Sequence, residues 1–392
     1  MTKKVATAQD LRLVNRGTIR RLLRDTGPLP RAELARRTGL SATTVTKVVA
    51  ELVADGSLTE MAQEPGVEHA GQRSAKVGRP AIDVALVPDA YSVLGVQVGA
   101  GFVQLGLCDL FARLRRTAEF TFDLAATSPE QVVEAIAEEA SRLAGDRRRV
   151  LGIGVAAPGP VDPALRRNLL SINLGWRDVP FAEWLEAALD LPAVVEHNVR
   201  AMALAEAHYG GARDAATVLY VYLRTGLGAG FVLGGQPFHP GRYGVTELGH
   251  LRVVEKGRTC ACTATGCLET VLSERYLREQ VLAAGGDQAR LMASVEELPA
   301  VQDEMVDHLT TGLASAVNLL NPELILLGGL FGDASDRVFA AILDALRAKA
   351  FPVLRDAIRL ERSTLGMNAG VVGGAAIALE RLFYTPEGSD RS

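Results

Sequence analysis

The stretch from residue 247 to residue 269 reads E-L-G-H-L-R-V-V-E-K-G-R-T-C-A-C-T-A-T-G-C-L-E, and the rest of the chain is interpreted around it. It contains three of the four cysteines, Cys260, Cys262 and Cys267, with His250 upstream. One imidazole and three thiolates form a complete tetrahedral ligand set for a structural zinc ion and leave no position for a catalytic water. We therefore predict that these four residues bind zinc.

Three cysteines so close together also allow a disulfide with one thiol left over. Residues 1–10 have no apolar segment of the kind that a signal peptide needs, so export to an oxidising compartment is not expected and a disulfide is disfavoured. The fourth cysteine, Cys108, stands alone in an apolar segment. We interpret it as a small buried hydrophobic residue.

The pattern E-x-G-H, a gap, and then C-x-C-x-x-x-G-C-x-E resembles the zinc loop of the ROK family (repressors, open reading frames and kinases). One departure is Thr263, where the family usually has glycine, which changes a turn residue and none of the ligands. The resemblance covers essentially the whole chain, and its other specific segments are 156–162, 173–176, Asn321-Pro322 and Gly328-Gly329. It implies an α/β protein in which an N-terminal winged helix-turn-helix precedes a two-lobed actin/hexokinase-like domain with a zinc loop.

The charge of the chain is unevenly distributed. Residues 1–80 carry 14 lysines and arginines against 8 acidic residues, and because the net charge of all 392 residues is −4, residues 81–392 carry −10. A basic N-terminal part favours contact with a polyanion, although a basic face that only meets solvent is the alternative. No run of about 18 apolar residues is present. We expect a cytoplasmic protein of two or three domains without membrane contact.

The first 60 residues have the pattern of a helix-turn-helix. An amphipathic helix is predicted over 14–25 and a short second helix over 31–39. Ser41 is a natural N-cap for a third helix. The residues of that helix predicted to face inward are Val45, Val48, Val49, Leu52 and Val53. The residues left outside are Thr43, Thr44, Thr46 and Lys47. Together with Ser41, we expect them to reach bases and phosphates in the major groove.

A strand over 58–61 and a returning strand over 81–87 complete a winged helix-turn-helix. The alternative is a helical packing module, but the turn pattern, the basic surplus and the wing all favour DNA binding. After the wing, Gly78-Arg79-Pro80 resembles a segment of ROK repressors in which the arginine enters a minor groove, the alternative being a plain linker. We place the DNA-binding domain with its linker at residues 1–88 and the second domain at 89–392.

From residue 90 onwards the chain alternates between predicted strands and helices. Two strands joined at Gly99-Ala100-Gly101 are expected within 92–108, followed by a strand over 113–124, a helix over 129–144, strands at 150–155 and 194–196, and a helix over 199–208. This order resembles one lobe of the actin/hexokinase-like fold. A second lobe is expected to include a strand over 217–222, a helix over 301–320, a buried strand at 323–329 and a last helix beginning near Gly370.

The residues expected for phosphoryl transfer are incomplete. The kinases of the family carry D-x-G-G-T at a first glycine turn, where this chain has Gln97-Val-Gly99-Ala100-Gly101. They carry E-N-D with the aspartate as general base, where this chain has Glu196-His197-Asn198, and a neutral amide accepts no proton. A second glycine turn, Thr225-Gly-Leu-Gly-Ala-Gly230, is present but also fits a strand hairpin. We therefore predict no catalytic residue and no enzyme activity.

The residues expected for sugar binding are better preserved. By resemblance, the pocket would be lined by Gly159, Asn173, Asn198, Glu247, His250 and Glu269. Amide and carboxylate groups suit the hydroxyls of a sugar, and His250 would bind zinc with one nitrogen and the sugar with the other. The alternative is that these polar residues are inherited scaffold without a ligand.

The sequence thus predicts a ROK-type transcriptional regulator, expected to be a repressor, with zinc as a structural cofactor. We expect it to bind an inverted-repeat operator as a homodimer or homotetramer and to sense a sugar or sugar phosphate. Two rival predictions are a sugar kinase with a DNA-binding appendage and a regulator that is controlled by a protein partner.

Overall fold

The structure, a computed structural model, describes residues 7–62, 82–162, 166–244 and 246–385. The segment Gly78-Arg79-Pro80, and with it the proposed DNA contact of Arg79, lies outside the described residues. We call residues 7–62 and 82–88 the head, and the remainder of the described chain the body.

The head is a winged helix-turn-helix, as predicted. Its helices are α1 (Ala8–Thr26), α2 (Arg31–Thr38) and α3 (Ala42–Ala54), and its strands are β1 (Leu29–Pro30), β2 (Leu58–Ala62) and β3 (Ile82–Leu86). The three strands form one antiparallel sheet in the order β1-β3-β2. Helix α1 begins earlier than predicted because Thr7 and Asp10 form a reciprocal capping box. Gly39 ends α2 in the left-handed conformation.

One predicted inward residue of α3 is wrong. Val45, Val48, Val49 and Leu52 are buried, whereas Val53 is 37% exposed. At 3.6 residues per turn, Val53 is turned about 90° from the centre of the stripe that the other four define. The stripe that packs into the head is therefore narrower than the spacing rule alone indicates.

The body has two lobes, each built on a five-stranded sheet. The first sheet has the order β11-β7-β4-β5-β6 and the second has the order β14-β13-β12-β15-β16. The first-lobe strands are β4 (Ser92–Gly99), β5 (Phe102–Cys108), β6 (Leu114–Thr121), β7 (Val150–Ala157) and β11 (Ala193–His197). The second-lobe strands are β12 (Thr217–Leu223), β13 (Leu227–Leu233), β14 (Gln236–Pro237), β15 (Leu324–Gly329) and β16 (Leu360–Arg362).

A small third sheet in the first lobe was not predicted. It consists of β8 (Val161–Asp162), β9 (Arg167–Ser171) and β10 (Trp176–Val179), and it is followed by α5 (Phe181–Leu189). Strands of two to five residues are too short for an alternating pattern to stand out in the sequence. This sheet matters for function because its middle strand leads into the predicted pocket segment.

The remaining helices cover the two sheets. They are α4 (Pro129–Ala144) in the first lobe and α7 (Glu274–Ala283), α8 (Leu291–Glu297), α9 (Pro299–Leu320) and α10 (Asp336–Lys349) in the second. Two further helices, α6 (Asn198–Tyr209) and α11 (Ala369–Leu379), pack against each other. Helix α11 packs on β4 and β7 of the first sheet, and α6 packs on β12 and β13 of the second. These two helices therefore form the contact layer between the lobes.

The head shares a hydrophobic core with the body. One cluster of buried side chains contains Ile19 and Leu23 of α1 together with Leu204 of α6 and Phe383 beyond α11. A π-helical turn, Glu380–Tyr384, continues α11 and contacts α1. The head is thus packed on the body over the region where α6 and α11 end. No helix within the described residues is long and apolar enough to cross a membrane.

Candidate metal centre and ligand cavity

The four predicted metal ligands are brought together in space. The ligand atoms of His250, Cys260, Cys262 and Cys267 all lie within 4.8 Å of one another. The Sγ atoms of Cys262 and Cys267 are 3.7 Å apart, and Nδ1 of His250 is 3.6 Å from Sγ of Cys260. Tetrahedral thiolates at a Zn–S distance of about 2.3 Å would be separated by about 3.8 Å. The donor set and its spacing therefore fit one tetrahedral metal ion.

The loop that carries the cysteines is held by short backbone contacts. The amide of Cys260 donates to the carbonyl of Ala264 at 2.7 Å, and Thr259 and Thr265 form an isolated antiparallel bridge. Thr263 sits in this turn with φ +76°, a left-handed conformation in which a β-branched residue is an outlier. The departure from the usual glycine of the family therefore falls on a backbone position that favours glycine.

A cavity of about 370 Å³ lies between the lobes beside this cluster. It is lined by all six residues that the resemblance implied: Gly159, Asn173, Asn198, Glu247, His250 and Glu269. The first three come from the first lobe and its junction with α6, and the other three come from the metal loop and its flanks. The fold therefore joins segments that lie up to 110 residues apart in the chain.

Several of these residues are fixed by backbone contacts. Gly159 has φ +86°, and a Cβ atom there would come within 1.9 Å of the carbonyl oxygen of Leu170. The carboxylate of Glu269 accepts from the amide of Leu227 at 3.2 Å, at the start of β13. The cavity wall is therefore preformed by the turn after β7 and by the hairpin of β12 and β13.

His250 connects the metal cluster with the cavity. Its Nδ1 faces the cysteines, and its Nε2 is 3.9 Å from a carboxylate oxygen of Glu247. Burial raises the pKa of Glu247; His250 opposes this rise, whereas Glu269 adds to it. A metal bound through Nδ1 would fix the imidazole so that its second nitrogen points towards the cavity.

Sequence reasoning missed two polar groups that also line the cavity. The Oγ of Ser171 and the Nδ1 of His197 are buried and have no hydrogen-bond partner among the described residues. Burial lowers the pKa of His197 to about 3, so its imidazole is neutral at physiological pH. Because unpaired buried polar groups are unfavourable, both positions point to a polar ligand or water in the cavity. The only signals in the sequence were their positions beside Asn173 and Asn198.

The residues compared with kinase motifs also lie at this cavity. Gln97, which the family resemblance set against the acidic residue of the kinase motif, is buried and lines it. The Oδ1 of Asn198 accepts from the amide of Val199 at 2.8 Å at the start of α6. The segment 225–230 belongs to the hairpin of β12 and β13, so the second glycine turn is a strand hairpin here.

The predicted DNA-contacting residues lie at the N-terminal part of α3. Ser41 caps the helix, since its hydroxyl accepts from the amide of Thr44 at 3.1 Å. The hydroxyl of Thr46 donates to the carbonyl of Ala42 at 2.9 Å, which leaves its oxygen as an acceptor. Thr43, Thr46 and Lys47 are exposed. The structure thus places five of the six predicted residues on the outer side of one helix.

This combination of a winged head, two lobes and a Cys₃His cluster beside the interlobe cavity defines a DNA-binding protein built on a sugar-kinase-like body. The profile of the ROK family matches residues 93–381, and a winged helix-turn-helix DNA-binding profile matches residues 16–57. The chain belongs to the ROK family.

Known proteins resemble the whole chain or its body. The chain is 28% identical to the DNA-binding transcriptional repressor Mlc of Escherichia coli (strain K12), with 95% of this chain and 94% of that protein covered. A solved ROK family transcriptional regulator, described as a homologue of E. coli Mlc, superposes with a TM-score of 0.81 at 25% identity over 96% of this chain and 98% of that one. A ROK glucokinase from Streptomyces griseus, solved with glucose and AMPPNP, matches 74% of this chain and 100% of its own, with a TM-score of 0.66 and 28% identity.

Proposed function

We propose that the protein is a cytoplasmic transcriptional repressor whose affinity for its operator is controlled by a sugar or sugar phosphate bound in the interlobe cavity. The proposal is supported by relatives that are named as repressors and by a similar body that was solved with glucose. The cavity offers amide, imidazole and carboxylate groups, which are suited to the hydroxyls of a sugar.

One observation carries the link between sugar and DNA: both helices that begin at the cavity end at the same arginine of the head. Helix α6 begins at Asn198 in the cavity wall and ends near His208, whose Nδ1 is 3.1 Å from Nη1 of Arg24. Helix α11 begins beside Gln97, since a Cβ atom on Gly370 would lie 2.0 Å from its Oε1. Beyond its C-terminal end, Oε2 of Glu380 is 3.3 Å from the same Nη1 of Arg24.

We call this contact the head–body junction: Arg20, Arg21 and Arg24 of α1 with His208, Glu380 and residues 383–385. Ligand binding between lobes generally closes them by hinge or shear motion. Because α6 packs on the second sheet and α11 on the first, closure is expected to move the two helices against each other and to reorient α1.

The metal in the Cys₃His cluster is proposed to be zinc with a structural role. Four N and S ligands in a closed tetrahedral arrangement are typical of structural zinc, and no ligand position is left for water. When bound, the ion holds the loop and the ring of His250, so that Glu247 and His250 keep their places in the cavity wall.

Phosphoryl transfer is not expected, although kinases share the body. The amide of Asn198 stands where a general base is required, and Gln97 stands where the family's kinases have an acid. Neither the wild type nor Asn198→Asp is expected to release ADP from ATP with any hexose. Clear sugar-dependent ADP release by the wild type would favour the kinase alternative instead.

The binding and the identity of the sugar are tested by calorimetric titration of purified protein with a panel of hexoses, pentoses, amino sugars and their phosphates. At least one is expected to bind, and Glu247→Ala is expected to weaken it at least about tenfold, because a charge-assisted hydrogen bond is lost. Glu255→Ala is the matched control, since Glu255 is an exposed acid of the same loop outside the cavity. If no compound of the panel binds, control by a protein partner becomes the better proposal.

The DNA contact is tested with an operator selected from a random library. We expect an inverted repeat bound by a homodimer or homotetramer, because two-fold symmetry of the protein is mirrored in the site. Lys47→Ala should weaken binding evenly across sequences and reduce the salt slope by about one, whereas Thr44→Ala should change sequence preference. Lys256→Ala, an exposed lysine of the metal loop, is the control. Full binding after deletion of residues 1–88 would contradict the assignment.

A further inference from the structure

A second cavity, of about 640 Å³, borders α6 on a different side and shares no lining residue with the interlobe cavity. Arg200 and Leu204 of α6 line it, whereas Asn198 of the same helix faces the first cavity. We propose that this second cavity is a binding site for a small organic phosphate, independent of the sugar site.

The cavity is lined by a buried guanidinium group that has an unused donor. Arg200 is only 3% exposed, and its Nε and Nη2 donate to Oε1 of Glu196, the former at 3.0 Å. Its Nη1 has no acceptor among the described residues. A buried N–H of a charged group without an acceptor is unfavourable, and it indicates that an anionic acceptor belongs beside it.

The pairing of charged side chains around the cavity also favours an anionic ligand. Each carboxylate that lines it already has a cationic partner: Glu186 pairs with Arg166, Glu196 with Arg200, and Glu380 with Arg24. A further lining guanidinium, that of Arg381, is exposed, and the part of the chain that the structure describes gives it no carboxylate. The lining carries three carboxylates and three guanidinium groups, so its formal charges balance, and the guanidinium of Arg381, unpaired within the described ranges, leaves a locally positive point that favours an anion.

The imidazole of His239 lies within electrostatic range of the guanidinium groups of Arg200 and Arg381. Its Nε2 is 3.5 Å from Oε2 of Glu196. Burial lowers the pKa of His239, Glu196 opposes this, and both Arg200 and Arg381 add to the lowering. The guanidinium groups of Arg200 and Arg381 thus both act on this imidazole, and two guanidinium groups match a doubly charged phosphate monoester better than a singly charged carboxylate.

Part of the lining of this cavity is apolar. It is formed by Val194, Leu204, Pro237, Ile377 and Leu382. Such a wall gives no advantage to an inorganic ion, but it accommodates the carbon skeleton of an organic phosphate. The volume of the cavity is within the range of about 300–1,000 Å³ that is usual for small-molecule sites.

The test is calorimetric titration of the full chain with phenyl phosphate, benzoate and inorganic phosphate. Phenyl phosphate is expected to bind at one site per chain and more tightly than either of the other two. Arg381→Ala is expected to weaken it at least about tenfold, because a charge-assisted contact is lost. Arg275→Ala, an exposed arginine of α7 that does not line the cavity, is the control and should bind as the wild type does.

Further variants in the same titration distinguish failure of this proposal from failure of the proposed function. Glu269→Ala, which alters only the interlobe cavity, should bind phenyl phosphate unchanged, so failure of sugar binding leaves this result standing. Lys47→Ala should also bind it unchanged. The proposal is overturned if the wild type does not bind phenyl phosphate or binds benzoate more tightly. It is also overturned if Arg381→Ala binds phenyl phosphate fully, or if Lys47→Ala abolishes binding and so places the anion on the DNA face.

Discussion

The interlobe cavity and the head–body junction lie at opposite ends of α6, and they differ in how their buried polar groups are paired. In the cavity, Oγ of Ser171 and Nδ1 of His197 have no partner among the described residues. At the junction, Nε of Arg20 lacks an acceptor among the described residues, but Nη1 of Arg24 contacts both His208 and Glu380, and the hydroxyl of Thr385 donates to Glu380. Unpaired groups are suited to receive a ligand, whereas a paired network holds two elements in a fixed relation. We infer that the cavity receives the signal and the junction transmits it.

The largest effect is expected at the interlobe cavity when the metal is removed. Wild-type protein is expected to contain about one zinc per chain, and Cys260→Ser is expected to lose it, because a closed site needs all four ligands. Sugar affinity should then fall at least about tenfold, since His250 is no longer oriented. The measurements are elemental analysis and calorimetry.

The control for this experiment is Cys108→Ala, which removes the buried cysteine that lies outside the cluster. This variant should keep both the metal and the sugar affinity. Freshly purified wild type without zinc would contradict the assignment of the metal centre.

Breaking the junction should destabilise the protein without changing the cavity. Glu380→Ala leaves the buried guanidinium of Arg24 with the half-exposed Asp25 as its remaining carboxylate partner, and removing one partner of a buried pair costs up to about 3–5 kcal/mol. Denaturant unfolding should show a loss of this size, while sugar affinity in the native range stays unchanged. Glu361→Ala, an exposed acid of β16, is the control and should cost less than about 1 kcal/mol. A loss below that value for Glu380→Ala would show that the junction is not a buried network.

Lowering the pH should reduce the stability contributed by the head–body junction at pH values above the normal titration range of carboxylates. Burial, and after it the charge of Arg24, lowers the pKa of His208 to about 4, whereas an unfolded histidine titrates near about 6.5. Between these values the unfolded chain binds a proton that the folded chain does not. The unfolding free energy should therefore fall as the pH is lowered from about 6.5, by up to about 1.4 kcal/mol per pH unit for this group.

The substitution His208→Gln should remove that part of the slope when unfolding is measured between pH 5 and 7.5, a window above the normal carboxylate range. His197, whose pKa is lowered in the same direction, adds a slope of the same sign that remains in this variant. Asp25 and Glu380 also face His208, and although burial raises the pKa of Glu380, the charges of His208 and Arg24 help to lower it. His308→Gln on α9 is the control. An unchanged slope in His208→Gln would mean that this imidazole is not held neutral.

The smallest effect is expected at the metal loop. Thr263 has φ +76°, and a strained backbone position costs on the order of 1 kcal/mol. Thr263→Gly should therefore raise the unfolding free energy of the zinc-bound protein by up to about 1 kcal/mol and leave the zinc content unchanged. Thr259→Gly, at a nearby exposed position of the same loop, should not stabilise. A destabilised Thr263→Gly variant would contradict the strain.

The sequence predicted those parts of the molecule that depend on the spacing of residues within one short segment. The metal ligands lie within one loop, and α4 and α9 follow a clear helical period, so their positions could be predicted closely. The cavity residues were predicted only through family resemblance, because no local pattern indicates that Asn173 and Glu269 meet. The prediction that Val53 is buried was wrong because a spacing rule does not give the width of the buried stripe.

The junction could not be predicted, for a physical reason. Arg24 looks like an ordinary solvent-facing arginine at the end of an amphipathic helix. Its burial depends on His208 and Glu380, which lie 184 and 356 residues further along the chain. The two unpaired polar atoms of the cavity could not be predicted either, since the pairing of Ser171 and His197 depends on the folded surroundings.

The most direct test of the account is an operator titration with and without the tightest-binding sugar of the panel. In the wild type the sugar should lower operator affinity by about 5- to 150-fold, and operator DNA should lower sugar affinity by the same factor. The double variant Arg24→Met with Glu380→Met replaces the buried pair by apolar side chains, a change that stable folds often tolerate. It should bind sugar and operator separately with less than about twofold coupling. A wild type that binds sugar without any change in operator affinity, or a double variant with full coupling, would contradict transmission through the junction.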